Sequence, residues 1–349
     1  MGETTKIQWT HHTFNPWIGC AKVAPGCEHC YAEADMDKRR GRVKWGVNGT
    51  RSVTSDAYWR QPIRWNKQAE SEGGRRRVFC ASLADVFEDR EELTLWRSGL
   101  FDVIDETPNL DWLLLTKRPE NIQRMWPQIP RNKEPLYVGN IDQPPWRHNV
   151  WLGTSISDQA TGDKAIPKLL KCRDLSPVLF LSADPLLGPV DMTPYIGGRS
   201  YRCQCGFHQT ENELIFTGGD TYSCTKCRER CEIGATIDWV IIGGESGPQA
   251  RPCDIGWVTD LVRQCRQAGV APFVKQLGPK PYWNGNHPEC NQTLPRQHTP
   301  EQKAEFIEAL GEYFDHIHAL PVLDKKGGDM NEWPESLRVR EFPSVNVDK

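Results

Sequence analysis

The sequence predicts an α/β protein built on a parallel (βα) barrel, either complete or partial. Short apolar runs recur along the chain, and most are followed by a polar loop and a segment of helical length. Most of the runs are continuous rather than alternating, which is typical of strands buried on both faces, as parallel strands are. The predicted strands cover residues 7–14, 77–82, 111–116, 149–155, 178–182, 237–245 and 271–276.

The segments between these strands have the length that a parallel sheet requires. Residues 91–106, 158–172 and 255–268 are long enough for helices that cross from one parallel strand to the next, and residues 31–40 predict a further helix. The chain therefore has the strand-helix rhythm of a (βα) barrel.

Polar or small residues stand where each predicted strand ends. In a (βα) barrel the carboxyl ends of all strands meet on one face, where the chemistry takes place. Any one of these residues could be an ordinary helix cap or turn, so their recurrence carries the prediction. They are Ser82, Asp85, Glu88, Thr116, Lys117, Arg118, Thr154, Ser155, Ser182, Asp184, Gly243, Gly244, Glu245, Ser246, Lys275 and Gln276.

Three cysteines lie in one loop directly after the first predicted strand. Cys20, Cys27 and Cys30 are spaced C-x6-C-x2-C within residues 15–31, which we call the three-cysteine loop. A structural zinc ion normally takes four protein ligands, whereas a [4Fe-4S] cluster held by three cysteines leaves one iron open for a small molecule. The three-cysteine loop is therefore the predicted centre of the site.

A second group of cysteines interrupts the pattern between the fifth and sixth strands. Residues 193–236 have no strong apolar period and predict a small zinc-ribbon-like insertion, whose metal supplies folding energy. A redox pair or a second cluster is the alternative. The preferred zinc ligands are Cys203, Cys205, Cys224 and Cys227, with Cys231 or His208 as substitutes.

The predicted domain organisation follows from this interruption. Residues 1–192 form the first part of the barrel, 193–236 the insertion, 237–285 the last part of the barrel, and 286–349 a C-terminal helix and tail. Within the last segment, residues 299–320 predict an amphipathic helix that Pro321 ends. The remaining residues are expected to lie over the barrel.

Composition limits the classes of function. A net charge of −3 excludes the overall basic excess of a non-specific nucleic-acid binder. Residues 39–65, however, interleave basic and aromatic residues that could grip phosphates and stack on bases, and Arg51, Tyr58 and Trp65 are among them.

No secretion signal or apolar stretch of about 20 residues stands in the sequence, so we expect a soluble cytoplasmic protein without a membrane partner. Thirteen cysteines at short spacings then favour metal or cluster ligation over disulfides.

Several motifs in a fixed order resemble one known family. Together they resemble the phage Gp37/Gp68 family, the three-Cys-motif phage proteins, over about residues 6–279. That family is similar to the radical S-adenosylmethionine enzymes, which hold a [4Fe-4S] cluster on three cysteines in the loop after the first strand of a full or partial (βα) barrel. Beside the three-cysteine loop, the motifs are Leu115-Thr-Lys-Arg-Pro, Val150-Trp-Leu-Gly, Leu181-Ser-Ala-Asp-Pro-Leu-Leu-Gly-Pro-Val, Asp238-Trp-Val-Ile-Ile-Gly-Gly-Glu-Ser-Gly and Phe273-Val-Lys-Gln.

The resemblance implies a [4Fe-4S] cluster, S-adenosyl-L-methionine, an electron donor, and one-electron cleavage of the sulfonium to a 5′-deoxyadenosyl radical. It also implies the cytoplasm of a bacterium or a phage-infected host, and a nucleotide or nucleic acid as substrate. The candidate catalytic residues are Lys275, Gln276 and Lys117, and the candidate cofactor-binding residues are Asp85, Ser82, Gly243, Gly244, Glu245, Ser182, Asp184 and Arg118.

Roles for these residues follow from their charge. Glu245 and Asp85 would hold the methionyl ammonium or the ribose of the cofactor, since both can accept hydrogen bonds from a cation or a hydroxyl. The cationic Lys117, Arg118 and Lys275 would bind a carboxylate or a phosphate. Gln276 could recognise the edge of a base or a carbonyl group.

Two other functions stay open from the residues alone. The three cysteines, with His29 or another residue, could bind zinc, which would make the chain a zinc-stabilised protein that binds nucleic acid or another partner. A non-radical Fe-S protein, such as an electron or sulfur carrier, is the other alternative.

Overall fold

The computed structural model describes residues 5, 7–127, 147–196, 236–284, 322 and 324–344, together with short strands between residues 201 and 233 and at Ile317–Ala319. One seven-stranded sheet organises these residues. Its strands are β1 (His12–Thr13), β2 (Arg76–Cys80), β3 (Leu110–Thr116), β4 (Val150–Ile156), β5 (Val178–Ala183), β6 (Trp239–Gly243) and β7 (Ala271–Gln276).

The sheet is parallel throughout, and its strands lie in chain order from β1 to β7. Within the described part of the chain β1 and β7 do not pair with each other, so the sheet stays open. The α/β class is therefore confirmed, and of the two predicted forms of barrel the protein has the partial one, a curled half-barrel.

Four longer helices cover one face of the sheet. Helix α3 begins at a capping box, in which Asp158 accepts a hydrogen bond from the backbone of Thr161, and α4 ends at Gly269, whose φ of 69° suits a residue without a side chain. The predicted helices 91–106, 158–172 and 255–268 are thus confirmed to within a few residues. The helices are α1 (Gln61–Ser71), α2 (Leu93–Asp105), α3 (Gln159–Leu170) and α4 (Ile255–Ala268).

Shorter elements complete the described fold. The predicted helix 31–40 is a single α-turn, Tyr31–Glu33, that continues as a π-helix, Ala34–Arg39. Other helical segments are Asp56–Trp59 and Ile122–Met125, with 3-10 turns at Pro25–Cys27, Pro119–Asn121, Arg173–Leu175, Met330–Glu332 and Glu335–Leu337. Short strands outside the main sheet are Trp17–Ile18, Ser52–Val53, Cys253–Asp254, Pro281–Asn284 and Ile317–Ala319.

The first strand is shorter than its sequence pattern predicts. Only His12 and Thr13 pair with β2, because the chain turns before them and buries the indole of Trp9 against Phe79 and Trp239. Burial of one aromatic side chain therefore outweighs the weak alternation of residues 7–14.

Three basic or aromatic residues of the segment 39–65 are buried, whereas Trp45 and Trp59 are partly exposed. Trp65 on α1 stacks on His12 with ring centroids 4.3 Å apart, the hydroxyl of Tyr58 donates to the carbonyl of Thr13, and Arg51 is buried. These three residues anchor the segment to the sheet, so the expectation that they stack on bases or grip phosphates is wrong. The exposed cations of the segment are Arg39, Arg40, Arg42, Lys44, Arg60 and Arg64.

The face of the sheet opposite the helices is apolar near the amino-terminal ends of the strands, which we call the aromatic floor. It is polar near their carboxyl-terminal ends, which we call the mouth of the half-barrel. Alternate residues of each strand point to this face, and its amino-terminal half is filled by large apolar side chains that include Trp9, Trp151, Phe180, Trp239 and Phe273. In the same alternation Ser155, Ser182 and Lys275 occupy the carboxyl-terminal half. The half-barrel thus places polar groups at the carboxyl ends of the strands and a buried apolar cluster below them.

The C-terminal residues 324–344 protect an edge of the sheet. The amide of Val274 on β7 donates to the carbonyl of Val339, and that of Glu341 donates to Pro272. Trp333 is fully buried beneath this segment. The tail therefore pairs with the outer edge of β7, which would otherwise expose unpaired backbone groups.

Two predictions fall largely on residues outside the described ranges. The predicted helix 299–320 lies outside them except at its end, where the prediction is wrong: Ile317–Ala319 is a strand. Its backbone pairs in antiparallel fashion with Pro281–Asn284 instead of forming hydrogen bonds within a helix. In the predicted insertion only short antiparallel strands are described. The proposed zinc ligands Cys203, Cys205, Cys224, Cys227 and Cys231 lie outside the described residues, and the side chain of His208 is not described.

Substitution of Gly153, on β4, tests how tightly this residue packs against Phe180 on the face of the sheet that carries the aromatic side chains. A Cβ at this position would lie 2.5 Å or less from three ring atoms of Phe180, which is itself fully buried, so the ring would have to shift against its neighbours. We expect Gly153→Ala to lower the free energy of unfolding by about 1–3 kcal/mol, measured by urea denaturation. The matched control is Gly162→Ala in α3, where a Cβ would meet only ordinary contacts at 3.7 Å; equal destabilisation by both variants would contradict this packing.

Candidate active site

The three-cysteine loop is fastened to the end of β2 at both of its own ends. The amide of Gly19 donates to the carbonyl of Leu83 at 3.0 Å, and the hydroxyl of Tyr31 donates to the carbonyl of Ser82 at 2.6 Å. Gly19 has a φ of 114° and lies against the carbonyl of Thr50, so a side chain would not fit. The loop therefore leaves the sheet and returns to it at the same strand end.

The middle of the loop crosses the ends of the other strands. The guanidinium of Arg118, after β3, donates to the carbonyl of Ala21 at 3.0 Å. A Cβ at Gly26 would lie 2.5 Å from the hydroxyl of Ser157, after β4. Near β6, His29 contacts Glu245 with 3.2 Å between Nδ1 and Oε2. The loop thus spans the carboxyl end of the half-barrel, where a parallel sheet places its functional residues.

Asn15 holds the first residues of the loop against β2. Its side chain accepts from the amide of Leu83 at 2.8 Å and exchanges hydrogen bonds with the hydroxyl of Ser82. The predicted site residue Ser82 is therefore engaged by Asn15 and Tyr31. Both partners belong to the loop, so Ser82 contributes to its attachment.

The three cysteines carry free thiols. Cys27 is buried, and Cys20 and Cys30 are partly exposed. Burial raises the pKa of Cys20 to about 12, and the nearby Asp85 acts in the same direction, while the guanidinium of Arg118 at 3.7 Å opposes both. Arg118 is thus the cation that favours the thiolate form, which metal ligation requires.

The chemistry of these donors fits an iron-sulfur cluster. Three soft thiols stand on one loop beside a cation, and a cluster binds each of its cysteines at a different iron atom, so the sulfur atoms need not meet at one point. Within the described ranges, no group of three or more His, Cys, Asp or Glu side chains is arranged to hold a single metal ion.

Asp85 is the buried centre of the polar network under Cys20. Its carboxylate accepts from Arg118 at 2.7 Å, from the hydroxyl of Thr116 at 2.6 Å, and from the amides of Phe87 and Lys117. Since a carboxylate offers about four acceptor positions, protein groups fill them all. The structure therefore gives Asp85 a supporting contact with Arg118 instead of a free carboxylate.

A second ion pair extends this network. Arg51 binds Glu88 through two hydrogen bonds of 2.7 Å, and Glu88 also lies 3.6 Å from Arg118. All four charged side chains are buried, and they alternate in sign along the series Arg51, Glu88, Arg118 and Asp85. This alternation compensates each buried charge, which would otherwise be costly.

Glu245 forms the attachment on the other side of the mouth. Arg251 binds its carboxylate with hydrogen bonds of 2.7 and 2.8 Å and reaches Glu28 on the loop at 3.0 Å. Burial pushes the pKa of Glu245 upward, but the hydrogen bonds from Arg251 and His29 outweigh burial and hold the pKa below its ordinary value. Glu245 is thus an anion that fixes the loop.

Two cationic side chains lie at the mouth of the half-barrel between these attachments. Lys275 on β7 forms an ion pair with Asp184, after β5, at 2.5 Å, and the two side chains are 24% and 17% exposed. Lys117 donates to the hydroxyl of Ser155 at 3.1 Å. The mouth therefore offers two ammonium groups and one carboxylate to a ligand.

The remaining predicted residues pack the ends of β6 and β7. Gln276 is buried and donates to the carbonyl of Gly244 at 2.9 Å. A Cβ at Gly244 would overlap the carbonyl of Leu277, so the glycine permits close approach of two backbone segments; a Cβ at Gly243 would lie 3.1 Å from the carboxylate of Asp184. Ser182 is buried on β5.

A cavity of about 550 Å³ lies beside the loop, on the side of Ala21. Its walls combine the cations Lys117, Arg118, Arg90 and Lys164 with the acids Glu88, Asp89 and Glu120. Because Lys117 and Arg118 also belong to the network under Cys20, the cavity adjoins the three-cysteine loop.

The structure brings together most of the predicted strand-end residues but adds partners that the sequence did not reveal. Arg251, Arg51 and Asn15 each hold a predicted residue in place. The sequence marked Arg51 as part of the basic segment 39–65 and Asn15 as part of the motif before Cys20, but it did not show which residues they would contact. No sequence pattern around Arg251 marked it as a residue of the site.

A comparison with protein families matches residues 4–314 of the chain to one family. The chain belongs to the family described as protein of unknown function (DUF5131). The finer resemblance to the phage Gp37/Gp68 family stays a prediction. No curated protein matches the chain.

One solved structure that is similar to the chain is a spore photoproduct lyase variant with bound AdoMet and dinucleoside spore photoproduct. The sequences are 12% identical, the match covers 52% of this chain and 47% of that one, and the TM-score is 0.35. A likeness this distant carries no argument about function. No helix in the described part of the chain is long and apolar enough to cross a membrane.

Asp85→Asn tests the network under Cys20. Removing one charge of a buried ion pair leaves Arg118 uncompensated, so we expect the free energy of unfolding to fall by about 3 kcal/mol, measured by urea denaturation. Asp89→Asn is the control, because the Asp89–Arg124 pair is more than half exposed and should contribute at most about 1 kcal/mol. A loss for Asp85→Asn no greater than that of the control would contradict a supporting role.

Proposed function

We propose that this chain is a radical S-adenosylmethionine enzyme that binds a [4Fe-4S] cluster through Cys20, Cys27 and Cys30 and acts on a nucleotide or nucleic-acid substrate. The observation that carries the proposal is the placement of three free thiols on one loop, fastened across the carboxyl end of an open parallel half-barrel. Three thiolates would leave one iron of the cluster without a protein ligand.

Asp184 and Lys275 would hold the amino-acid end of S-adenosylmethionine. Both are partly exposed at the mouth and already form a pair of opposite charges, so the ammonium and carboxylate of an amino acid can exchange into that pair without leaving a charge uncompensated. Glu245 and Asp85 are engaged by Arg251 and Arg118. We therefore assign these two carboxylates to support instead of to the cofactor.

The chemistry that the cluster and its cofactor would supply when bound is one-electron reduction of a sulfonium, in which one C–S bond breaks to give a carbon-centred radical and the thioether methionine. The chain's own contribution is orientation and exclusion of water. The aromatic floor, which includes Trp151, Phe180 and Trp239, seals the half-barrel from below, and the loop covers it from above. Lys117 at the mouth and Lys164 beside the adjoining cavity would bind substrate phosphate.

Anaerobic reconstitution with iron and sulfide tests the cluster. We expect about four iron atoms per chain and a broad absorbance band in the wild-type protein, and loss of both in Cys27→Ala. Cys172→Ala is the control, because Cys172 is a buried free thiol in the turn after α3; its cluster content should equal the wild type. A colourless wild-type protein that holds only zinc at this loop would overturn the proposal in favour of the zinc-stabilised alternative.

Asp184→Asn tests the assignment of the cofactor site. Loss of the carboxylate should weaken S-adenosylmethionine binding about tenfold, as expected for about 1.4 kcal/mol, while iron content stays unchanged. Equilibrium binding under anaerobic conditions measures the affinity, and iron analysis measures the cluster content. The matched control is Asp238→Asn, which breaks a similar pair with Arg173 at the opposite end of the sheet. Equal affinity in all three proteins would refute the assignment.

A further inference from the structure

Arg118 is held against the sulfur of Cys20 by contacts that leave it little freedom. Its guanidinium donates to Asp85 at 2.7 Å and to the carbonyl of Ala21 at 3.0 Å, lies 3.6 Å from Glu88, and lies 3.7 Å from the Cys20 sulfur. The side chain is 9% exposed. To leave the sulfur, Arg118 would have to break a buried ion pair.

The residues behind Arg118 reinforce this orientation. Asp85 is fixed by Thr116 and by two backbone amides, and Glu88 is fixed by both arms of Arg51. These contacts hold the two carboxylates that flank the guanidinium of Arg118.

A cation beside a thiolate ligand has a defined effect on an iron-sulfur cluster. When the cluster gains an electron its negative charge increases, and a positive N–H donor stabilises that reduced form more than the oxidised form. The potentials of such clusters are set by net charge, by hydrogen bonds to the sulfurs and by solvent exposure, and low dielectric surroundings strengthen the effect.

We propose that Arg118 is a positioning residue that raises the reduction potential of the cluster bound through Cys20, and that the Asp85, Thr116, Glu88 and Arg51 network exists to hold it there. The inference rests on the proposed function, because it requires the cluster. The step that it concerns is the uptake of one electron by the cluster from a low-potential donor such as dithionite, which is oxidised.

Potentiometric titration of the reconstituted protein, followed by absorbance and by the spin signal of the reduced cluster, tests the inference. In Arg118→Gln we expect the equilibrium constant for one-electron reduction to fall about tenfold, which is a shift of about 59 mV to more negative potential. Arg118→Lys keeps the charge but loses the planar fork, so its shift should have the same sign and a smaller size.

Two further variants make the outcome decisive. Arg124→Gln is the control for net charge: it removes one positive charge from the helical turn after β3, but Arg124 is 58% exposed, so solvent screens it and the potential should not change. Thr116→Val removes one hydrogen bond from Asp85 and should shift the potential slightly in the same direction as Arg118→Lys. It carries the test if Arg118→Gln does not fold.

The failure of this inference is distinguishable from the failure of the proposed function. An intact cluster whose potential in Arg118→Gln equals that of the wild type would overturn the role of Arg118 and leave the proposed function standing. If Arg118→Gln does not fold, equal potentials in the wild type, Arg118→Lys and Thr116→Val would do the same. A wild-type protein that takes up no iron and sulfide would overturn both. Potentials shifted to more negative values at unchanged iron content would support the inference.

Discussion

The ion pair between Arg118 and Asp85 joins the three-cysteine loop to the parallel sheet. Asp85 follows β2 and Arg118 follows β3, and the guanidinium continues to the carbonyl of Ala21 and the sulfur of Cys20. Because the pair is buried, breaking it would leave an uncompensated charge in a medium that solvates charge poorly. The position of Cys20 over the strand ends therefore depends on this contact more than on the local geometry of the loop.

The half-barrel brings the other strand ends to the same side as the contact between Arg118 and Asp85. Parallel strands in chain order bring the ends of β2, β3, β5, β6 and β7 to one side of the sheet, and the aromatic floor closes the other end. Glu245 and Arg251 fasten the far side of the loop in the same way as Asp85 and Arg118 fasten the near side. Between the two attachments, Asp184 and Lys275 remain partly exposed, and a ligand can reach them.

The sequence predicted the parts of this arrangement that depend on local pattern. Strand β7 and helix α4 begin and end at the residues predicted from a continuous apolar run and from the length of the connecting segment, because a buried parallel strand and its crossover helix require both. It could not predict which charges pair across the sheet: Arg51 with Glu88 and Glu245 with Arg251 depend on the tertiary fold. For the same reason, Trp65 and Tyr58 stood in a pattern typical of a binding surface, but they pack against residues of β1. The strand at Ile317–Ala319 likewise depends on pairing with a distant partner.

In the proposed function, the three cysteines hold a cluster with one iron open to S-adenosylmethionine. The electron paramagnetic resonance spectrum of the reconstituted, dithionite-reduced protein tests it most directly when recorded before and after addition of the cofactor. We predict a signal from a reduced [4Fe-4S] cluster that changes its shape when S-adenosylmethionine is added. A cluster signal that is unaffected by the cofactor, or a protein that gives no cluster signal, would contradict it.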